Sequence, residues 1–121
     1  MAQFTVKMLM ALSLGAVAVA SSAAIVQAQS RSDVLANGEA VTYSGVLYAG
    51  EAVYAACDQD CTDLDVNLYD AVSGELVASD TELDANPVVV APYDGEFLIE
   101  VVMASCSIEP CAAWTESEAG F

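Results

Sequence analysis

Two stretches of the chain alternate hydrophobic and polar residues with a period of two. The first covers residues 63–69 and the second covers residues 96–103. Their hydrophobic positions are Leu64, Val66, Leu68, Phe97, Ile99, Val101 and Met103. Because successive side chains on a strand face opposite sides, this pattern predicts two strands, each with one buried face.

Shorter runs rich in Val, Tyr and Leu occupy most of the remaining chain, separated by Gly, Pro and Asp. No segment after residue 28 keeps a helical period over ten residues. This pattern predicts an all-β protein, an antiparallel jelly-roll-like β-sandwich of seven to eight short strands. We expect residues 41–48 and 52–56 to form a hairpin, and Val88–Val90 to be buried on both faces.

The N-terminal residues have the pattern of a targeting segment. Lys7 precedes an apolar run, residues 8–20, and Val26-Gln27-Ala28 gives a small-x-small cleavage site. We therefore predict a cleaved signal peptide over residues 1–28, and export to the periplasm or outside the cell. The polar residues 29–37 are expected to be a flexible leader, and residues 38–121 to form the sandwich domain.

Charge narrows the choice of partners. All 18 acidic residues follow the predicted cleavage site, where only Arg31 opposes them, which gives a net charge of −17. Nucleic acid and anionic membranes are poor partners for such a surface, and no membrane insertion is expected after signal cleavage. A protein or a polysaccharide remains as the partner. We expect stability to rise with ionic strength or with calcium, since both reduce self-repulsion.

Several catalytic chemistries are excluded by composition. The chain has no histidine, and its one lysine lies in the signal peptide, which removes Ser–His, Cys–His and lysine-based catalysis. Two carboxylate pairs remain for acid–base work: Asp63 with Asp65, and Glu96 with Glu100. Such pairs are common on strand faces, and a small domain has little room for a deep cleft. We therefore predict that the protein is not an enzyme, with a carboxylate-based hydrolase as a remote alternative.

The four cysteines indicate disulfides, because the chain is small and predicted to be exported. The spacings favour two local bridges, Cys57 with Cys61 and Cys106 with Cys111. Long-range pairing is the alternative, and a four-cysteine zinc site is a functional rival with unusual spacing.

Two residue sets suggest binding chemistry. The first is acidic and has two interpretations: a calcium site, since calcium takes six to eight oxygen ligands, or an acidic edge exposed to water, which is the commoner role of such residues. Its members are Asp58, Asp60, Asp63, Asp65, Asp80 and Asp84. The second is aromatic, and a platform of such rings stacks on sugars in carbohydrate-binding modules, although aromatic residues more often pack in a core or rim. Its members are Tyr43, Tyr48, Tyr54, Tyr69, Tyr93 and Trp114.

Residues 45–111 resemble the bacterial pre-peptidase C-terminal domain family and its small exported relatives. The resemblance rests on two cysteine loops with an acidic strand between them, and on several turn motifs. The matching motifs are Cys57-Asp58-x-Asp60-Cys61-x-Asp63-Leu64-Asp65, Leu68-Tyr69-Asp70, Gly74, Ala78-Ser79-Asp80, Pro87-Val88-Val89 and Gly95-Glu96-Phe97. The resemblance implies a jelly-roll-like sandwich that serves as an accessory or binding domain of secreted proteins, in some members with calcium. No peptidase is attached within this sequence.

Overall fold

The computed structural model describes residues 30–121, and eight strands lie in that range. The predicted signal peptide lies outside the described residues. No helix in the described range is long and apolar enough to cross a membrane. The strands are β1 Arg31–Leu35, β2 Ala40–Leu47, β3 Ala52–Cys57, β4 Cys61–Asp70, β5 Leu76–Asp80, β6 Val88–Val90, β7 Gly95–Cys106 and β8 Cys111–Ser117.

The strands form two four-stranded sheets, and every pairing is antiparallel. Sheet A has the order β1-β8-β3-β6, and sheet B has the order β2-β7-β4-β5. Only the link from β4 to β5 stays within one sheet among the described strands, and each other link crosses to the opposite sheet. The prediction of an antiparallel all-β sandwich is confirmed.

The core lies between the sheets and follows the alternation of β4 and β7. All seven hydrophobic positions predicted to face inward on these strands are fully buried. Val53, Val89 and Ala113 cover them from sheet A. Burial of a large apolar side chain contributes about 1.5–3 kcal/mol, so these two strands account for much of the core.

The predicted start of the domain was wrong. Residues 29–37 were expected to be a flexible leader, but Arg31–Leu35 is a strand that pairs with β8, and Leu35 is buried. The Arg31 guanidinium donates a hydrogen bond of 2.7 Å to the Phe121 backbone oxygen and lies over the rings of Phe121 and Tyr43. These contacts to distant residues order a segment that is polar in sequence.

Two further expectations from local pattern were also wrong. The predicted hairpin of residues 41–48 and 52–56 does not form, because β2 belongs to sheet B and β3 to sheet A. The strand Val88–Val90 was expected to be buried on both faces, but it is an edge strand with Val88 and Val90 half exposed. This exposed edge borders a groove on the outer face of sheet A.

Candidate functional site

The two disulfides lie side by side at one end of the sandwich. Cys57 bonds Cys61 and Cys106 bonds Cys111, and Cys61 lies opposite Cys106 in the pairing of β4 with β7. The chain therefore forms both local bridges that the spacing favours. No cysteine in the described range is free, which leaves no thiolate for the zinc site considered from the sequence.

Backbone and carboxylate hydrogen bonds join the two disulfide loops. One Asp58 carboxylate oxygen accepts from the Ala112 amide at 2.8 Å, and the other accepts from the Asp60 amide. The Asp60 carbonyl accepts from the Ser107 amide at 2.8 Å. Asp58, which was predicted to be a calcium ligand, is therefore already bonded within the fold.

Eleven of the 18 carboxylates accept hydrogen bonds within the described range, most of them from backbone amides. The most buried is Glu51, which is 6% exposed. Its carboxylate accepts from the Tyr48 amide at 2.9 Å, the Ser117 hydroxyl at 2.5 Å and the Ala119 amide at 3.1 Å. These bonds tie the β2–β3 turn to the end of β8. Much of the acidity thus stabilises turns.

The other seven carboxylates accept no hydrogen bond from another described residue. They are Asp60, Asp63, Asp65, Glu75, Glu82, Glu96 and Glu116. Unpaired carboxylates are open to cations or to basic groups from another molecule, because an acceptor without a donor gains most from a new partner.

Three of these unpaired groups contribute to an acidic edge where β4 meets the β5–β6 loop. We define the acidic edge as Asp63, Asp65, Asp80, Glu82 and Asp84. Asp80, Glu82 and Asp84 each offer an oxygen within 4.8 Å of the others. The loop is held against β4 by a 2.9 Å hydrogen bond from the Leu64 amide to the Asp84 carbonyl.

The acidic edge is not neutralised from within. One oxygen each of Asp63 and Asp65 is buried without a hydrogen-bond partner. Burial, and then the charges of Asp63, Asp80 and Asp84, raise the pKa of Asp65. Arg31 is the one basic residue in residues 30–121, and it is packed against Phe121 and Tyr43. The edge therefore carries a local excess of negative charge.

Four predicted calcium ligands, Asp63, Asp65, Asp80 and Asp84, meet at this edge. The other two, Asp58 and Asp60, lie instead in the Cys57–Cys61 loop. The structure adds Glu82, which the sequence did not suggest. Glu82 lies in a loop without alternation or a cysteine to place it. Its two-residue spacing from Asp80 and from Asp84 is the one signal that the sequence offered.

An open groove of about 310 Å³ crosses the outer face of sheet A. Its lining comes from three adjacent strands and the end of the β5–β6 loop. The residues that line it are Tyr54, Ala55, Ala56, Asn86, Val88, Trp114 and Glu116. Trp114 and Tyr54 are 42% and 38% exposed, so both rings are accessible to a ligand.

The groove and the acidic edge share one loop. Asn86 lines the groove, and its backbone amide donates a 2.8 Å hydrogen bond to the Asp84 carboxylate. The Val88 amide likewise donates to the Asp80 carboxylate at 2.9 Å. The groove is therefore an apolar channel bordered by negative charge.

Most of the predicted aromatic set lies elsewhere. Tyr43 packs under Arg31 and donates to Asp33, and burial followed by this hydrogen bond raises the pKa of Tyr43. Tyr93 donates to Asp70 at 2.6 Å, which lowers the pKa of Asp70 and raises that of Tyr93. Of the predicted set, only Tyr54 and Trp114 line the groove.

Neither carboxylate pair considered for hydrolysis lines the groove, whose one carboxylate is Glu116. The Glu100 carboxylate accepts hydrogen bonds from the Asn67 side-chain amide and the Tyr69 hydroxyl. Burial, and then the Glu100 carboxylate, raise the pKa of Tyr69. Neither pair therefore faces a substrate across this groove in residues 30–121.

Comparison with known proteins supports the fold and leaves the family open. No protein-family model and no curated sequence matches the chain. The fold is similar to the crystal structure of PliG from Aeromonas hydrophila, a periplasmic inhibitor of g-type lysozyme, with a TM-score of 0.51 and 14% identity. The match covers 82% of this chain and 93% of that one. At this identity the likeness shows a shared β-sandwich fold alone.

Proposed function

We propose that this chain is an exported, non-catalytic binding module whose partner is a positively charged protein. The observation that carries the proposal is a row of unpaired carboxylates beside an exposed aromatic groove. Two disulfides fit an oxidising compartment. A periplasmic lysozyme inhibitor with a similar fold supports a binding role.

The charge distribution explains why the partner would be basic. A net charge of −17 over residues 30–121 attracts cationic proteins over several ångströms and repels anionic ones. Such steering raises the association rate and is screened by salt. Contact at the groove would then add the apolar area that charge alone does not supply.

A binding panel tests the proposal. The folded chain is immobilised and exposed to proteins of graded charge, with g-type lysozyme as a further member of the panel. We expect saturable binding of basic members at low salt that weakens as ionic strength rises. Loss of lysozyme activity with stoichiometric chain would extend the role to inhibition. An acidic protein of matched charge density is the control, and equal capture by that control, or no capture at all, contradicts the proposal.

A calcium-dependent module is the second candidate, favoured by the unpartnered oxygens of Asp63 and Asp65 at the acidic edge. Calcium prefers carboxylate oxygens and would relieve the repulsion there. Calorimetric titration of the wild type, Glu82→Gln and the control Glu75→Gln tests it. We expect heat with calcium that is weakened only in Glu82→Gln. No heat at millimolar calcium ends this candidate.

The resemblance to the pre-peptidase C-terminal domain family adds a setting for either candidate. In that setting the module serves as an accessory to another exported protein. Co-purification from the exported fraction would test this: the expected result is one stable basic companion.

A further inference from the structure

We propose that the groove on the outer face of sheet A holds one arginine side chain of the protein partner, between the rings of Trp114 and Tyr54 and against the Glu116 carboxylate. This inference rests on the proposed function and names the group that the module recognises. It assigns to the groove a ligand chemistry, a guanidinium on an aliphatic stem.

The strand register places the necessary groups together. Trp114 and Glu116 lie on the same outer face of β8, about 7 Å apart along the strand. Tyr54 of β3 lies opposite both Glu116 and Val88. Directly opposed side chains on neighbouring strands are about 5 Å apart at their Cβ atoms, so a planar cation over the rings reaches the carboxylate.

The lining favours a cation over a neutral ligand. Glu116 is unpaired, and covering it with an apolar group would remove its water without giving it a partner, which is costly. Besides Glu116, the polar groups of the lining are the Asn86 side-chain amide, the Tyr54 hydroxyl and the Trp114 ring N–H, so a sugar ring would find few partners for its hydroxyls. The adjoining Asp80 and Asp84 add attraction for a positive charge.

Arginine fits better than lysine for a geometric reason. A guanidinium is planar, stacks on aromatic faces and donates two parallel hydrogen bonds to one carboxylate. The chain already contains such an arrangement, because the Arg31 guanidinium lies 4.9 Å from the Phe121 ring centroid and 5.7 Å from that of Tyr43. The groove offers the same kind of aromatic surface, with a free carboxylate and no arginine of its own.

Fluorescence gives a direct test, because Trp114 is the one tryptophan in the chain. The full chain is titrated with a blocked glycine peptide that carries a single arginine, and with matched lysine and citrulline peptides. We expect a saturable change with arginine, a weaker one with lysine and none with citrulline. Glu116→Gln should weaken the arginine titration about five-fold, the size of one exposed charged contact.

The matched control is Glu96→Gln, which removes an exposed, unpaired carboxylate from sheet B and should leave the titration unchanged. An equal response to citrulline overturns the inference, as does an unaltered titration in Glu116→Gln. A neutral chitooligosaccharide that changes the fluorescence at lower concentration than the arginine peptide also overturns it, in favour of a sugar site.

A second measurement separates this inference from the proposed function. A basic protein captured by the wild type is tested against Trp114→Ala and against Val46→Ala, which removes an exposed apolar side chain from sheet B. Weaker binding in Trp114→Ala alone supports the groove. If both variants bind the basic protein equally, the groove is not its contact site, and the proposed function is unaffected. If the arginine peptide binds but no basic protein is captured, the guanidinium site in the groove is supported and the proposed function is overturned.

Discussion

Carboxylates act in opposite ways in two regions of this molecule. At the β2–β3 turn, Glu51 is buried, and three donors converge on its carboxylate. At the acidic edge, Asp63 and Asp65 each have a buried oxygen without a donor, and neighbouring carboxylates add repulsion. A charge stabilises a fold where donors are fixed around it and destabilises it where they are absent. The unpaired carboxylates are therefore the groups that the proposed basic partner would contact.

The largest expected effect comes from Glu51→Ala. Removal of the carboxylate leaves the Tyr48 and Ala119 amides and the Ser117 hydroxyl without their acceptor. We expect a loss of about 3 kcal/mol in the free energy of unfolding, measured by urea denaturation. Glu96→Ala, at an exposed carboxylate without a partner, is the control and should change stability little. A loss below about 1 kcal/mol for Glu51→Ala would contradict the claim that the buried Glu51 carboxylate stabilises the fold.

A smaller loss in the free energy of unfolding is expected from Asp58→Ala, because this carboxylate accepts hydrogen bonds from two backbone amides near the disulfides. We predict about 1.5 kcal/mol in the same assay. Asp60→Ala is a close control, since the Asp60 side chain accepts no hydrogen bond from another described residue while its backbone bonds persist. Equal losses in the two variants would show that the Asp58 carboxylate does not join the loops.

Salt should stabilise the wild-type protein. Raising the ionic strength shortens the range of repulsion among the unpaired carboxylates, and we expect a gain of about 1 kcal/mol. Melting temperature in dilute buffer and in high salt measures it. An unchanged melting temperature would mean that repulsion among these carboxylates does not reduce the stability of the fold.

The smallest effect has the opposite sign to the first two. The folded-state pKa of Asp65 is raised, so ionisation of Asp65 costs stability at neutral pH, and this cost disappears as the pH falls through the raised pKa. Asp65→Asn should therefore stabilise the protein at neutral pH, by about 0.5 kcal/mol after solvent screening, and not in acid. Urea denaturation at several pH values, with Glu75→Gln as control, measures it. A variant less stable than the wild type at neutral pH would contradict the assigned repulsion.

The sequence predicted the parts of the fold that rest on local alternation. The strands β4 and β7 are confirmed because the buried face of each consists of alternate residues within one short segment. Strand β1 and the buried state of Glu51 were missed, because both depend on partners far along the chain, such as Phe121 for Arg31 and Ser117 for Glu51. No local pattern carries such information.

The groove was beyond sequence analysis for a topological reason. Its walls come from β8, β3 and β6, which are neighbours in sheet A but are separated along the chain. Trp114 and Tyr54 were both named as aromatic candidates, yet their shared groove follows from strand order. Strand β8 continues past Glu116 to Ser117, and Phe121 packs against the core.

The most direct test is the affinity of a captured basic protein for the wild type, Glu116→Gln and Glu96→Gln at one low salt concentration. We expect Glu116→Gln to weaken the affinity about five-fold and Glu96→Gln to change it less, and both variants to keep the wild-type free energy of unfolding. Equal affinities in all three proteins would contradict the claim that the unpaired carboxylate of the groove serves a basic partner.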